Sequence, residues 1–268
     1  MKKVIGINSY KEALYLIDHV DEIYFGLKSI KNHRIWYDYL NVSNIDEAIK
    51  IIKLTKDKNK KSYIAANETY SQREIGNAVK TIRTLLSNGL DGIILKDINL
   101  ASYFKNKTDI ILSSTAIVFN SAALNFYIRN TGLNRIVIPQ HLKPSDAIDI
   151  MKIKGIQYEI FYLFDVYCRN VDGACKFHIF DGKIREKSNC KYVFKVNEEN
   201  ISMRPLSIYD RAKIIYDYNK MGVKYIKLAR DGSADYKMKV IKEVDMMLSI
   251  IKKSSSDKVF IQAIKKYF

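Results

Sequence analysis

The chain has 268 residues, a formal charge of +16 and a 47% hydrophobic fraction. That composition excludes bulk disorder and allows one sizeable buried core. No run of 18 apolar residues is present, which excludes an apolar membrane-spanning helix, and the start Met1-Lys2-Lys3-Val4-Ile5-Gly6 is a poor signal peptide, so the cytoplasm is the expected location.

In chain order, short apolar runs at about 4–8, 22–27, 62–67, 91–96, 109–114, 135–139, 158–166 and 225–229 read as eight strands. Several are continuous rather than alternating, as parallel strands buried on both faces require. Amphipathic helical patterns lie between them. Ser43 and Asp46 open one of these helices, with an acid near its positive end. The clearest helix spans about 72–88: Ser71 and Glu74 form a capping box, and Ile75, Val79, Ile82 and Leu86 make one apolar stripe.

One junction recurs at Gly89-Leu90, Gly132-Leu133, Gly155-Ile156 and Gly222-Val223, each followed by two further residues and a strand. A glycine that ends a helix in the left-handed conformation suits each copy. Four such helix-to-strand turns favour a parallel βα repeat, and eight units predict an α/β (β/α)8 TIM-type barrel over about 1–252. An open doubly wound sheet is the structural rival.

Two connections break the rhythm. Residues 28–44 are long and hold Trp36, Tyr37 and Tyr39. Residues 167–205, after the seventh strand, form an insertion that holds all three cysteines of the chain. Beyond Ser254-Ser255-Ser256, within 253–268, a short amphipathic tail at 258–268 could pack on the barrel or meet a partner.

An odd cysteine count in a cytosolic chain argues for metal or thiol chemistry over a disulfide framework. Cys168, Cys175 and Cys190 share one polar insertion rather than apolar faces, and Gly173 lets the backbone turn between the first two. Zinc could take the three thiolates with His178. An iron–sulfur cluster normally takes four cysteines, so one iron would need Ser207, another oxygen ligand or an open position.

The segment Cys168-x4-Gly173-x-Cys175, preceded by the strand Glu159-Ile160-Phe161-Tyr162-Leu163, resembles the signature of the peptidase U32 family. Tyr24-Phe25-Gly26-Leu27, Asn88-Gly89-Leu90-Asp91-Gly92-Ile93-Ile94-Leu95-Lys96-Asp97, Leu112-Ser113-Ser114-Thr115, Phe119-Asn120-Ser121 and Gly132-Leu133-Asn134-Arg135-Ile136-Val137 are similar to further family segments. The resemblance covers roughly residues 4–250. It implies a barrel with a four-iron cluster. It also implies oxygen-independent hydroxylation of an RNA base or an aromatic small molecule. The family's peptidase name implies hydrolysis instead, but no Gly-x-Ser-x-Gly, His-Glu-x-x-His or Cys/His constellation is present.

Two departures matter. Met203-Arg204-Pro205-Leu206-Ser207 puts Ser207 where the family has its fourth cysteine, and a serine oxygen is a harder ligand for a cluster iron. Lys227-Leu228-Ala229-Arg230-Asp231-Gly232 lacks the family's carboxylate after the eighth strand. Both allow a second role, as a non-catalytic or partner-dependent subunit beside another U32 chain.

The remaining candidates follow from the rule that the C-terminal strand ends of such a barrel carry the site. They are Glu68, Lys96, Asp97 and Arg230 as catalytic groups, and Asn67, Ser114, Gln140 and His141 as substrate contacts, with Asn8 beside them. Asp97 could instead cap the following helix. The excess of Lys over Arg reads as solvated helix faces, although RNA stays open as a partner; no DNA-readout motif is present.

Overall fold

The structure is a computed structural model that describes residues 1–33, 38–162, 193–196, 198–202, 206–228 and 232–267. Its elements alternate along the chain. They begin β1 (Lys2–Ile7), α1 (Tyr10–Leu16), β2 (Glu22–Leu27), β3 (Asn41–Val42), α2 (Ile45–Asp57), β4 (Lys61–Ala66) and α3 (Gln72–Ser87). They continue with β5 (Gly92–Leu95), α4 (Ile98–Ser102), β6 (Asp109–Leu112), α5 (Ser121–Thr131), β7 (Arg135–Val137), α6 (Pro144–Met151) and β8 (Gln157–Phe161). Then come β9 (Val193–Val196), β10 (Glu199–Ser202), α7 (Ile208–Lys220), β11 (Tyr225–Lys227), α8 (Ala234–Lys253) and α9 (Asp257–Tyr267).

Eight parallel strands pair in the order β1-β11-β8-β7-β6-β5-β4-β2, and β1 pairs back onto β2 with Val4 opposite Glu22. The sheet is therefore closed, which removes its edges and rules out the open doubly wound alternative. All eight expected barrel strands are present. The seventh covers Gln157–Phe161, and 163–166 of its expected range lie outside the described residues. The connection after β2 is not loop throughout: β3 pairs parallel with the end of β2, Gly26 opposite Asn41. Trp36 and Tyr37 lie outside the described residues. In the expected insertion, β9 and β10 form a separate antiparallel hairpin.

All four junction glycines take positive φ: +97° at Gly89, +67° at Gly132, +87° at Gly155 and +91° at Gly222. Leu90, Leu133 and Val223 are buried behind them, and Ile156 packs partly buried on the same core. The capping box of α3 forms, with the Ser71 N–H donating to the Glu74 carboxylate at 2.8 Å. For α2 the cap sits one residue later than expected. Asn44, not Ser43, accepts from the Glu47 N–H at 2.9 Å, while the Ser43 N–H donates to the Glu47 side chain at 3.3 Å. Glu47 thus accepts from the residue before the cap, so α2 lacks the reciprocal pair that α3 has.

The strands feed two cores. Ile5, Ile23, Phe25, Ile64, Ile93, Ile110 and Ile136 point outward into the shell between sheet and helices. Val4, Tyr24, Tyr63, Ala65, Ile94, Ile111, Val137 and Tyr225 form the separate inner cluster. Alternation along each strand makes the division, because successive side chains leave opposite faces. The lumen is not purely apolar. Arg135 donates to both oxygens of Glu22, at 2.7 and 3.0 Å, and to Glu159 at 2.9 Å; Lys227 donates to the other Glu159 oxygen at 2.7 Å. The Arg135 guanidinium lies 3.5 Å from the Tyr225 ring centroid, and Lys227 lies 4.1 Å from that of Tyr24. Burial pushes the Glu159 carboxyl up, but Lys227 and Arg135 outweigh it and hold the group below its ordinary range.

The tail packs as α9 against the barrel's last helices. Phe260 is fully buried and stacked on Tyr216 of α7, with centroids 4.1 Å apart. Among the described residues no helix is long and apolar enough to cross a membrane.

Candidate active site at the barrel mouth

The C-terminal ends of β2, β4, β5 and β6 carry a connected set of polar side chains. Glu68 follows β4, and Lys96 follows β5. The Lys96 ammonium donates to Glu68 Oε2 at 2.9 Å. The other carboxylate oxygen, Oε1, faces His33 Nδ1 at 2.9 Å. The three side chains are each about one-fifth exposed, at 20% for Glu68, 22% for Lys96 and 17% for His33. Burial pushes the Glu68 carboxyl up, but the hydrogen bonds from His33 and Lys96 and their charge hold it at about 2. Glu68 is thus a fixed anion at neutral pH rather than a general base.

Asn67 ties this group to the next strand. Its Oδ1 accepts from the His33 N–H at 3.1 Å, and its Nδ2 donates to Ser113 Oγ at 3.1 Å. Thr115 donates from Oγ1 to Ser113 Oγ at 3.0 Å or to the Asn67 carbonyl at 3.2 Å. Two residues further on, Ile117 adopts a left-handed conformation with φ +60° and ψ +49°. For a β-branched side chain that costs on the order of 1–3 kcal/mol, a strain typical of ligand-facing turns. Ile117 and Phe119, in the connection after β6, are exposed.

The expected site residues divide. Glu68, Lys96 and Asn67 come together as described. Asp97 caps α4, accepting from the Leu100 N–H at 3.1 Å, and its second oxygen accepts from the Tyr70 N–H at 2.8 Å. Both oxygens therefore serve backbone donors. The Asn8 N–H donates to Glu12 at 2.8 Å, tying β1 to α1. Ser114 is buried in the short turn after β6. Gln140 and His141 lie in the turn after β7, where no hydrogen bond links them to Glu68, and His141 Nδ1 is buried without a hydrogen-bond partner among the described residues. Arg230, Cys168, Cys175, His178 and Cys190 lie outside the described residues. Ser207 is described: it caps α7, accepting from the Asp210 N–H at 3.1 Å and donating to Asp210 Oδ2 at 2.6 Å. Among the described residues no cluster of three or more His, Cys, Asp or Glu could hold a metal.

The sequence reading did not single out His33, which lies 35 residues before Glu68 in the long connection after β2. Its position in an oversized loop at a C-terminal strand end was the available signal.

Closed topology defines a (β/α)8 barrel protein, and the polar cluster at its C-terminal rim is a candidate site on the face where such barrels carry chemistry. The profile of Peptidase family U32 matches residues 9–268, and the chain belongs to that family. The solved U32 Peptidase Mk0906 superposes with a TM-score of 0.54 at 12% identity, over 87% of this chain and 94% of that one. The YdjI aldolase from Escherichia coli K12 superposes with a TM-score of 0.50 at 12% identity, over 96% and 91%. At such identity these likenesses establish the shared barrel alone.

Proposed function

We propose that the chain is an iron–sulfur enzyme of the U32 type, working at the barrel mouth by oxygen-independent hydroxylation or modification of an RNA base or an aromatic small molecule. The observation that carries the reading is the Glu68 anion held between Lys96 and His33. It stands on the face that the cysteine-bearing connection leaves after β8 and rejoins before α7. Reacting groups and three soft thiolates would then share one end of the barrel. The charge of +16 suits a polyanionic substrate such as RNA.

The donor set suits a cluster in part. Cys168, Cys175 and Cys190 would hold it, since thiolates are the usual ligands of iron–sulfur centres. Ser207 is a poor fourth ligand: it spends its O–H and one lone pair on Asp210 as the cap of α7, which leaves a single lone pair of a hard oxygen for an iron. One iron would be left to another ligand. When bound, the cluster supplies electron transfer. The protein residues at the mouth orient the substrate and fix charge beside it.

Anaerobic purification followed by iron, sulfide and zinc analysis with an absorption spectrum tests the reading. Iron and acid-labile sulfide together, both lost in Cys175→Ser, are expected. Zinc without iron would reverse the metal assignment. No metal after anaerobic reconstitution would remove the cluster altogether. Co-purification of a four-cysteine U32 chain would favour the partner-dependent role, and peptide release that depends on Glu68 would favour hydrolysis.

A further inference from the structure

Glu68 dictates the state of the imbalanced partner beside it. An ionised carboxylate only accepts hydrogen bonds. Lys96 occupies Oε2, and His33 Nδ1 lies 2.9 Å from Oε1, so Nδ1 must carry the proton of that bond. A neutral imidazole has one N–H, and with Nδ1 protonated its Nε2 keeps a bare lone pair. Nε2 makes no hydrogen bond to a described residue, and the His33 side chain is 17% exposed. The residue is anchored at its ring and at its backbone. Its own backbone N–H is fixed on Asn67, and Asn67 is fixed on Ser113.

Resting on the mouth being the active site, we propose that His33 is its proton-accepting residue, with Nδ1–H locked on Glu68 and the Nε2 lone pair presented to an ionisable O–H or N–H of the substrate. In that step the substrate O–H or N–H bond breaks and the Nε2–H bond forms. The electron pair stays on the substrate oxygen or nitrogen, so no electrons leave the pair of reactants. The imidazolium formed is stabilised by the Glu68 anion at Nδ1. The new substrate anion finds its counter-charge in Lys96, whose ammonium has three donors and spends one on Glu68. A phenol, an enol or the ring N–H of a nucleobase carries a proton of this kind.

The test is long-range ¹H–¹⁵N NMR on the full-length chain labelled with ¹⁵N-histidine, at about pH 8, above the ordinary imidazole range. Of the chain's four histidines, the one whose signals vanish in His33→Asn is expected to show a protonated Nδ1 and a bare Nε2. Glu68→Gln is expected to mix the two tautomers. A proton on Nε2 in the unaltered chain, or on both nitrogens, overturns the proposal. Diethyl pyrocarbonate, which acylates a bare ring nitrogen, gives an independent readout without any variant. Peptide mass spectrometry is expected to find His33 carbethoxylated, and an unreactive His33 overturns the proposal too. Neither measurement depends on metal content. A chain lacking iron with this tautomer would sink the cluster reading alone, and a cluster-loaded chain with the opposite tautomer would sink the His33 assignment alone.

Discussion

Lys237 on α8 and Glu12 on α1 meet at 2.7 Å in the seam where the last helix of the barrel reaches the first. Lys237 is fully buried, and it also donates to the Gly6 carbonyl of β1 at 2.8 Å. The second Glu12 oxygen accepts from the Asn8 N–H. One ion pair thus binds α8, α1 and β1 at the point of closure. Removing one partner of such a pair leaves a charge buried without compensation. Lys237→Met is expected to destabilise the fold by about 3–5 kcal/mol. Lys237→Met with Glu12→Gln is expected to recover part of that loss. Denaturant titration of the three chains reads both effects, and additive losses would show that the two residues do not interact.

The junction glycines separate backbone strain from crowding. A Cβ on Gly222 would meet nothing within 4 Å, so Gly222→Ala carries only the cost of its φ of +91°. That cost is about 1–2 kcal/mol. Gly92 has no positive φ, yet a Cβ there would lie 2.2 Å from the Asp109 carbonyl of the neighbouring strand. Backbone cannot yield as a side chain can. Gly92→Ala is therefore expected to cost more than Gly222→Ala, and to part β5 from β6. Thermal unfolding of the pair checks the order.

Glu68 supplies a pH dependence of known sign. Its carboxyl falls from 4.5 to about 2 on folding. Between those values the unfolded chain binds more protons than the folded one, so stability rises with pH. The contribution is complete above the unfolded value and is lost as pH falls toward about 2. The stability difference between the natural chain and Glu68→Gln is expected to shrink across that window. Denaturant midpoints measured through it would disprove the anionic assignment if the difference stayed constant.

Ser207 offers a clean separation of cap from ligand. As the cap of α7, its replacement by alanine is expected to cost about 0.5–2 kcal/mol. The bound iron is expected to be unchanged. A loss of iron larger than the loss of folded protein, read by metal analysis beside circular dichroism, would make Ser207 a ligand after all.

Much of the frame could be read from residue order because it rests on local rules. The βα rhythm, the glycines that end helices, and the reciprocal Ser71–Glu74 cap all act within a few residues. The candidate site was legible as single residues. Glu68 and Lys96 were nominated because they follow strands, and the parallel barrel then put those strand ends at one mouth. Asp97 shows the ambiguity of that rule, since a carboxylate at the same kind of position caps a helix instead.

Pairing across the barrel lies beyond any local pattern. Arg135 and Glu22 are 113 residues apart, and His33 and Glu68 are 35 apart. Each side chain alone reads as an isolated charge or a loop residue. Closure brings β2 and β7 to face each other across one lumen, where a buried guanidinium requires carboxylates around it. Sequence by itself determined which segments become strands and helices and that they repeat, because periodicity, capping and handedness are properties of neighbouring residues. Tertiary structure alone decided which charges meet and which nitrogen of His33 faces Glu68, because those depend on distances that only the closed sheet sets.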